Sequence, residues 1–279
     1  MLESFKSLLK KHLISKNDVT NNETVIITIH GYGRRRKHEM DNLSLWAKQD
    51  PILAHYEILQ FDLYDLFDET DCNWRQWVGR AKAIINEQEL LNRCIYLVGF
   101  SMGGVIAAYL AATSSHVKKL ILLAPAFQYW NKDAITSVIA KGANSFFSSD
   151  GKTNDDEITI PKTFYPAFTE VIRHCKPYIE QVKCPVLLLH GDEDEVISMK
   201  SSIYAYDKIP HAQKKLIFLH NGHHRLLMDE TVNWEVYQLI KLFVIGAILG
   251  NDNIPQAPDI LEEYRKQNMK QTKTTENAE

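Results

Sequence analysis

Ser101 lies between glycines in the segment GFSMGG (99–104). A serine hydroxyl is a weak nucleophile near neutral pH, and it attacks a carbonyl only when a neighbouring base removes its proton. The G-x-S-x-G spacing is typical of a sharp strand-to-helix turn that exposes the serine above the end of a sheet. The apolar runs CIYLV (94–98) before it and VIAAYLAA (105–112) after it fit that context. Because glycine and serine are common, the motif alone is weak evidence, and a buried serine in a tight turn is the alternative.

Two later segments carry the acid and the base that such a serine needs. The segment HGDEDEVIS (190–198) follows the apolar run PVLLL, and HNGHHRLLMDE (220–230) follows KKLIFL. The order serine, acid, histidine, with each group after a strand, suits serine-based acyl transfer. The carboxylates of the first segment are Asp192, Glu193, Asp194 and Glu195. The histidines of the second are His220, His223 and His224. A solvated acidic turn and surface histidines are the alternatives, and the residues alone leave the choice within each set open.

An oxyanion that forms during acyl transfer also needs hydrogen-bond donors. One donor is usually the backbone N–H that follows the nucleophile, here Met102, and the other comes from an earlier strand–loop junction. The segment HGYG (30–33) follows the run VIITI, and its central amide belongs to Tyr32. Gly31 and Gly33 allow a tight turn that aims this amide. A glycine-rich turn with no ligand is the alternative.

These loops need a sheet to hold them together. The sequence predicts six strands, and their apolar runs are nearly continuous rather than alternating, as expected of a parallel sheet covered by helices on both faces. The predicted strands are 24–33, 56–65, 93–100, 117–126, 184–192 and 214–222. The predicted helices of this core are 73–91, the segment after Ser101, and 231–249. Strands that alternate with helices predict an open α/β fold.

The regular alternation is interrupted once. We expect an α/β core made of residues 24–126 and 183–250, with residues 127–182 inserted as a small cap or lid. Residues 1–23 are expected to form a helical extension, and residues 251–279 a polar tail that contains at most a short helix near 259–267. Apolar residues of the cap either line an acyl site or pack in the core: Phe127, Trp130, Phe146 and Phe147.

Composition excludes several classes of protein. The 279 residues are 45% hydrophobic and 24% charged, with a net charge of −3, which favours neither nucleic acid nor an anionic membrane as a partner. The basic run 34–37 is expected to be a solvated loop. The four cysteines form no CxxC pair and no metal pattern with the histidines. The N-terminus lacks the features of a signal peptide, and the apolar run 242–249 is too short to span a bilayer. We therefore expect a cytoplasmic protein without a metal.

The motifs HGYG, GFSMGG, HGDEDEVIS and NGHHRLLMD, in this order, resemble the α/β-hydrolase superfamily over residues 24–249. Within it, the chain is similar to small bacterial carboxylesterases and monoacylglycerol-lipase-like serine hydrolases. In that group the acid lies three residues after the glycine of the H-G-x-x-D turn, which implies Asp194. The group also has an aspartate five residues after the catalytic histidine; Asp229 lies five after His224, so the resemblance implies His224 as the base, with His223 second. The segment around Trp74 and Trp77 resembles the helix before the nucleophile strand.

The resemblance implies hydrolysis of a small acyl ester through an acyl-enzyme intermediate, without a cofactor. Thioesters and amides are alternatives because they share the acyl chemistry. A second alternative is a ligand-binding protein that retains the triad but has little activity. Tyr32 departs from the family pattern, which often has a small or aliphatic residue there. Its side chain is expected to narrow the acyl pocket or to add a polar contact.

Overall fold

Six parallel strands form one sheet at the centre of the protein. The structure, a computed structural model, describes residues 23–33, 39–128 and 161–248. The strands are β1 Thr24–Ile29, β2 Glu57–Gln60, β3 Cys94–Phe100, β4 Val117–Leu123, β5 Val186–Gly191 and β6 Lys214–Leu219. Their order across the sheet is β2-β1-β3-β4-β5-β6, and every neighbouring pair is parallel. The predicted parallel sheet is confirmed. β2 and β4 end earlier than the sequence predicted.

The apolar runs bury both faces of the sheet. Along β1 the side chains of Val25, Ile27 and Ile29 enter one core cluster, and Ile26 enters the other. This alternation follows from the two-residue repeat of a strand. β5 is buried at every position, from Val186 to Gly191. The continuous apolar runs are therefore explained by helices that cover the sheet on both sides.

Six helices and one 3-10 helix cover the sheet within the described residues. They are α1 Asp41–Gln49, α2 Trp74–Leu90, α3 Met102–Thr113, α4 Phe164–Cys175, the 3-10 helix Lys176–Gln181, α5 Lys200–Lys208 and α6 Asn233–Val244. α2, α3, α4 and α5 contribute to the core on one face, and α1 and α6 to the core on the other. At the start of α2, the side chain of Asn73 accepts a hydrogen bond from the Arg75 amide (3.0 Å), which caps the helix.

The sequence predicted three of these helices and missed α1, α4 and α5. α4 lies in the segment predicted as a cap, and its buried residues follow the spacing of an amphipathic helix. They are Phe164, Ala167, Phe168, Val171, Ile172 and Cys175. The signal for α4 was therefore present in the sequence.

Several predictions from the sequence concern residues that the structure does not describe. The N-terminal extension up to residue 22, residues 129–160 of the cap and the C-terminal tail lie outside the described residues, as do Trp130, Phe146 and Phe147. The boundaries of the cap therefore remain predictions. Phe127 is described, and it is buried in the core beside Tyr204. No helix in the described parts of the chain is long and apolar enough to cross a membrane.

The start of α3 packs very closely against the end of β1. A Cβ atom added to Gly103 would lie 2.3 Å from the carbonyl oxygens of both Ile29 and His30. These are backbone atoms, which cannot rotate away as a flexible side chain can. Glycine at position 103 is therefore required for α3 to begin where it does, directly after Ser101.

This contact predicts a clear difference between two glycine substitutions. Gly103→Ala should lower the free energy of unfolding by about 3 kcal/mol or more because the added methyl group forces backbone atoms apart. Gly79→Ala is the matched control: Gly79 is exposed in α2 and a Cβ there meets nothing within 4 Å. It should stabilise the protein by roughly 0.5–1 kcal/mol through helix propensity. Urea unfolding measures both. Equal stability of the two variants would contradict the close packing.

Candidate active site

Ser101 occupies a strained turn between β3 and α3. Its φ is 51° and its ψ is −118°, a conformation that a residue other than glycine rarely adopts. The turn is held by the end of β4: the Ser101 amide donates to the Leu123 carbonyl (2.9 Å), and the Ala126 amide donates to the Ser101 carbonyl (3.1 Å). The strain is therefore maintained by the neighbouring strand.

Ser101, His224 and Asp194 form a continuous chain of hydrogen bonds. Nε2 of His224 lies 3.2 Å from Oγ of Ser101, and Nδ1 of His224 lies 2.8 Å from Oδ2 of Asp194. Because an ionised carboxylate can only accept hydrogen bonds, Nδ1 of His224 carries a proton and donates a hydrogen bond to Asp194. Nε2 is then free to accept the hydroxyl proton of Ser101. The arrangement can thus increase the nucleophilicity of the serine.

Asp194 is buried and remains ionised. Burial raises the pKa of its carboxyl group, but the charge of His224, the hydrogen bond from His224 and the backbone amides outweigh it, so the pKa lies below its usual value. Oδ1 accepts from the amides of Val196 (2.8 Å) and Ile197 (2.7 Å). Oδ2 also lies 3.3 Å from Nε2 of His190. Asp194 is therefore fixed in position by groups on its own loop and strand.

His190 acts as a neutral support for this loop. Burial lowers the pKa of its imidazole, so the ring is uncharged near neutral pH. Nε2–H donates to the Ile197 carbonyl (2.9 Å), and Nδ1 accepts from the Ser202 hydroxyl (2.7 Å). The ring thereby connects β5 to α5 and keeps the loop between them in place. Sequence analysis did not assign any role to this histidine.

The other candidate acids have different partners. Asp192 contacts Nδ1 of His220 (2.9 Å) and accepts from the Asn221 amide, and both side chains of this pair lie at the surface. Oε2 of Glu193 lies 3.9 Å from His223. Glu195 accepts from the backbone amide of His224 (3.2 Å) and so holds the backbone beside the imidazole rather than the ring itself. Of the four carboxylates, Asp194 is the one that binds the His224 ring.

His223 and Asp229 form a separate pair away from Ser101. Oδ2 of Asp229 accepts from the backbone amide of His223 (2.8 Å) and lies 3.0 Å from its Nδ1. The His223 side chain is about half exposed. His224, in contrast, is buried against the ring of Phe100, with ring centroids 4.8 Å apart. Asp229 therefore shapes the histidine loop by binding His223, the residue next to the one that contacts Ser101.

In the loop 30–33, the backbone amide of Tyr32 donates no hydrogen bond to any described residue. The Gly31 amide donates to Oε1 of Glu39 (2.9 Å) and the Gly33 amide to the Tyr64 hydroxyl (3.0 Å). Among the described residues, neither the Tyr32 amide nor the Met102 amide has an acceptor. Met102 is the first residue of α3, where backbone amides point out of the helix.

The loop lies directly against the serine. A Cβ atom added to Gly31 would lie 3.0 Å from Cβ of Ser101 and 2.8 Å from the Phe100 ring. This packing brings the Tyr32 amide close to the turn that contains Met102. The two unused donors therefore lie on either side of this packing, one in the loop that contacts Ser101 and one directly after Ser101 in the chain.

The sequence matches a known family of hydrolases. Residues 73–156 and 152–231 match the family described as serine aminopeptidase, S33, and together they cover more than half of the chain. The chain belongs to this family. The match includes Ser101, Asp194 and His224.

A curated relative of this S33-family chain is the thermostable monoacylglycerol lipase of Bacillus sp. (strain H-257). It is 26% identical over 151 residues, which is 50% of this chain and 59% of the relative. The chain therefore matches less than two thirds of the length of that protein.

Solved structures show the fold. A metagenome-derived lipolytic enzyme superposes with a TM-score of 0.62 at 16% identity, covering 80% of this chain and 93% of that one. A soluble variant of the monoglyceride lipase of Saccharomyces cerevisiae superposes with a TM-score of 0.60 at 17% identity, covering 82% and 88%. The predicted α/β-hydrolase fold is confirmed.

Glu39 of this S33-family chain supports the loop 30–33, a role that no motif in the sequence predicted. Its carboxylate is buried, with the side chain 9% exposed. Oε1 accepts from the Gly31 amide, and Oε2 lies 3.9 Å from the guanidinium of Arg225. Because Arg225 follows His224, the carboxylate connects the loop 30–33 with the histidine loop. No spacing rule predicts this role, since Glu39 lies in a polar stretch eight residues after Gly31.

His30 and Tyr64 fix the same loop from the side of β2. The amide of Leu63 donates to Nε2 of His30 (2.8 Å), so the ring carries its proton on Nδ1 and donates to the Gly31 carbonyl (2.6 Å). The Tyr64 hydroxyl donates to the same carbonyl (3.2 Å) while it accepts from Gly33. The histidine of the HGYG motif therefore has a structural function.

Metal ligands and reactive thiols are not apparent in the described parts of the chain. Within residues 23–33, 39–128 and 161–248, no group of three or more His, Cys, Asp or Glu side chains could hold a metal ion. The four cysteines are free thiols. Burial raises the pKa of Cys175 and of Cys184 to about 12, so neither is a thiolate near neutral pH.

The His223–Asp229 pair predicts a pH-dependent stability. Its hydrogen bond with Asp229 raises the pKa of His223, and the pKa of Asp229 is lowered, although burial opposes both shifts. The stabilisation from protonated His223 is therefore fully present below its unfolded pKa of about 6.5 and is lost as the pH rises through the folded value. His223→Ala should reduce the free energy of unfolding more at pH 5.5 than at pH 8.5, as measured by urea unfolding.

A second variant separates this pair from a general packing effect. In an Asp229→Asn background the partner of His223 carries no charge. The loss of unfolding free energy caused by His223→Ala should then be nearly the same at pH 5.5 and at pH 8.5. A loss of stability that is equal at both pH values in the wild-type background would contradict the ionic contribution.

Proposed function

We propose that the protein is a serine hydrolase that cleaves carboxylic esters through an acyl-enzyme intermediate. The observation that carries the proposal is the hydrogen-bond chain from Ser101 through His224 to Asp194. In this proposal Ser101 is the nucleophile, His224 the general base and acid, and Asp194 the group that orients His224. The amides of Tyr32 and Met102 form the oxyanion hole.

The first half of the reaction transfers the acyl group to the serine. Nε2 of His224 takes the hydroxyl proton of Ser101 as Oγ attacks the ester carbon, and the electron pair of the carbonyl moves to its oxygen. The Tyr32 and Met102 amides donate to this oxyanion. Ionised Asp194 stabilises the imidazolium without taking its proton. When the carbon–oxygen ester bond breaks, His224 gives the proton to the departing alcohol.

The second half of the reaction releases the acid. Water replaces the alcohol, His224 takes a proton from it, and the resulting hydroxide attacks the acyl-enzyme carbon. The tetrahedral intermediate uses the same two amides. It collapses as Oγ of Ser101 leaves and recovers the proton from His224. Every proton transfer passes through one imidazole, so the reaction needs neither a metal nor an organic cofactor.

Small acyl esters are the substrate class that the comparisons support. The curated relative is named a monoacylglycerol lipase, and the two structural neighbours are named as a lipolytic enzyme and a monoglyceride lipase. All three names describe carboxylic ester hydrolysis. We infer the same reaction type for this chain, with a small-molecule ester as its partner.

The description of the family as a serine aminopeptidase makes amide hydrolysis the second candidate. An aminopeptidase must bind the α-ammonium group of its substrate, and a carboxylate without another partner binds such a group most strongly. Near Ser101 the described carboxylates are engaged: Asp194 by His224, Glu39 by the Gly31 amide and Glu195 by the His224 amide. These contacts favour ester hydrolysis over amide hydrolysis. Comparison of nitrophenyl esters, acyl thioesters and amino-acid nitroanilides under one set of conditions ranks the three leaving groups.

The nucleophile can be tested by labelling. A fluorophosphonate probe should modify the wild-type protein, and peptide mapping should place the label on Ser101. Ser101→Ala should lose the label and should reduce hydrolysis of nitrophenyl acyl esters by about 10³-fold or more. Ser115→Ala, which changes an exposed serine after α3, should leave both unchanged. A folded wild-type protein that takes no label would instead favour a ligand-binding protein with an inactive triad.

The acid and the base can be tested with paired variants. Asp194→Asn should lower kcat by about 10⁴-fold because the amide cannot hold His224 in the productive tautomer. Asp192→Asn, which changes the surface partner of His220, should leave kcat within roughly twofold, since surface changes are usually mild. His224→Ala should abolish turnover, whereas His223→Ala should retain most of it. Steady-state kinetics on one nitrophenyl ester measures kcat for all four variants. If Asp192→Asn lowered kcat more than Asp194→Asn, the role of the acid would be reassigned, and the same comparison of His223→Ala with His224→Ala decides the base.

A further inference from the structure

Two tyrosine hydroxyls near the proposed oxyanion hole are buried without a hydrogen bond. They belong to Tyr32 and Tyr165, and no described residue provides a partner for either oxygen. A buried hydroxyl that makes no hydrogen bond destabilises the fold because the loss of its hydration is not compensated. Most buried polar side-chain atoms in folded proteins have a partner. Two such hydroxyls in one region therefore require an explanation.

The two tyrosines share a neighbour. The Tyr32 ring contacts Phe168 with a centroid distance of 5.1 Å, and the Tyr165 ring stacks on the same Phe168 at 6.2 Å. Tyr165 and Phe168 belong to α4, and Tyr32 belongs to the loop that follows β1. The two tyrosines therefore belong to different elements, the loop after β1 and α4, and both pack against Phe168.

The nearby Tyr64 shows what a structural hydroxyl looks like in this loop. Its ring lies 6.5 Å from that of Tyr32, yet its oxygen binds both the Gly31 carbonyl and the Gly33 amide. The conformation of the loop is thus maintained by Tyr64. The hydroxyl of Tyr32 is not needed for it, although the amide of the same residue is a proposed oxyanion donor.

The surroundings favour a neutral polar ligand. Burial and the neighbouring Tyr64 and Tyr165 raise the pKa of Tyr32, so its hydroxyl remains protonated and can both donate and accept. The described ring contacts of Tyr32 and Tyr165 are with Tyr64 and Phe168. A charged group in such an aromatic environment would lose its hydration without a compensating ion. A hydroxyl group matches the two phenols.

We propose that Tyr32 and Tyr165 bind a free hydroxyl group of the substrate and select esters that carry one near the scissile bond. This inference rests on the proposed ester hydrolysis and adds the substrate class. A site built to bind a hydroxyl discriminates strongly against an analogue that lacks it, because its own polar groups are then left unpaired. This hydroxyl belongs either to the alcohol part or to the acyl part of the ester. In both cases the two phenols would form the same kind of hydrogen bond with it.

The experiment compares matched esters with and without the hydroxyl. On the alcohol side the pair is 1-monobutyrin and propyl butyrate; on the acyl side it is ethyl 3-hydroxybutyrate and ethyl butyrate. The wild-type enzyme should show a kcat/KM at least tenfold higher for the hydroxylated ester of one pair, and that pair identifies the source of the hydroxyl. No preference in either pair would overturn the inference.

Phenylalanine variants then assign the preference to the two tyrosines. Tyr32→Phe and Tyr165→Phe keep the rings and remove only the oxygens. Each should reduce the ratio of kcat/KM for the hydroxylated ester to kcat/KM for the plain ester by about tenfold, as expected for the loss of one hydrogen bond to the substrate. Tyr178→Phe, which changes a ring packed on Tyr109 in another part of the fold, is the control and should leave the preference unchanged.

The results separate failure of the inference from failure of the proposed function. If the wild-type protein neither hydrolyses the plain esters nor takes the fluorophosphonate label, the proposed function itself is wrong. If it does both, but the phenylalanine variants keep the wild-type preference and gain stability to urea, the hydroxyls are only tolerated in the fold and the inference is wrong. Should one variant fail to fold, as judged by circular dichroism, the other tests the inference alone.

Discussion

The close contact between the start of α3 and the end of β1 is the constraint on which the rest of the site depends. Only glycine fits at position 103, and Ser101, two residues earlier, has a positive φ that costs about 1–3 kcal/mol. The end of β4 holds this turn through the hydrogen bonds of Leu123 and Ala126. Because all strands are parallel, the loops after β1, β3, β5 and β6 leave the same edge of the sheet. The reactive groups therefore meet there.

Buried polar groups give this edge its rigidity. Gly31 is fixed by Glu39, His30 and Tyr64, while His190 and two backbone amides fix Asp194. All of these interactions are present before any substrate binds, so they do not have to form during the proposed reaction. Electrostatic stabilisation of an oxyanion depends on such preorganised donors. The Glu39 carboxylate and the Arg225 guanidinium further connect the donor loop with the base loop, so a displacement of one loop would disturb the other.

The sequence predicted the six strands because most of them are nearly continuous apolar runs that end in glycine or polar residues. β2 is the exception: it begins at Glu57 and ends at Gln60, and the strand predicted over residues 56–65 was too long. It could also narrow the acid and the base to short segments, and resemblance to a family then implied Asp194 and His224. It could not identify Glu39, whose partner is the backbone amide of Gly31. Every residue except proline has such an amide, so the contact depends on the path of the chain and produces no recognisable motif. α4 was missed for a different reason. Its helical periodicity was present, but the mixed composition around it indicated a cap.

Tyr32 shows how one residue can combine two functions on a fixed loop. The backbone of position 32 offers a donor to the proposed oxyanion, and any residue there other than proline would keep that donor. The phenol reaches the aromatic cluster around Phe168, where its hydroxyl and that of Tyr165 have no described partner. In the proposed function, reaction type and substrate choice depend on different atoms: the triad and the two amides carry out acyl transfer, whereas the two hydroxyls select the substrate. A change in the side chain at position 32 can therefore alter which ester reacts without altering how it reacts.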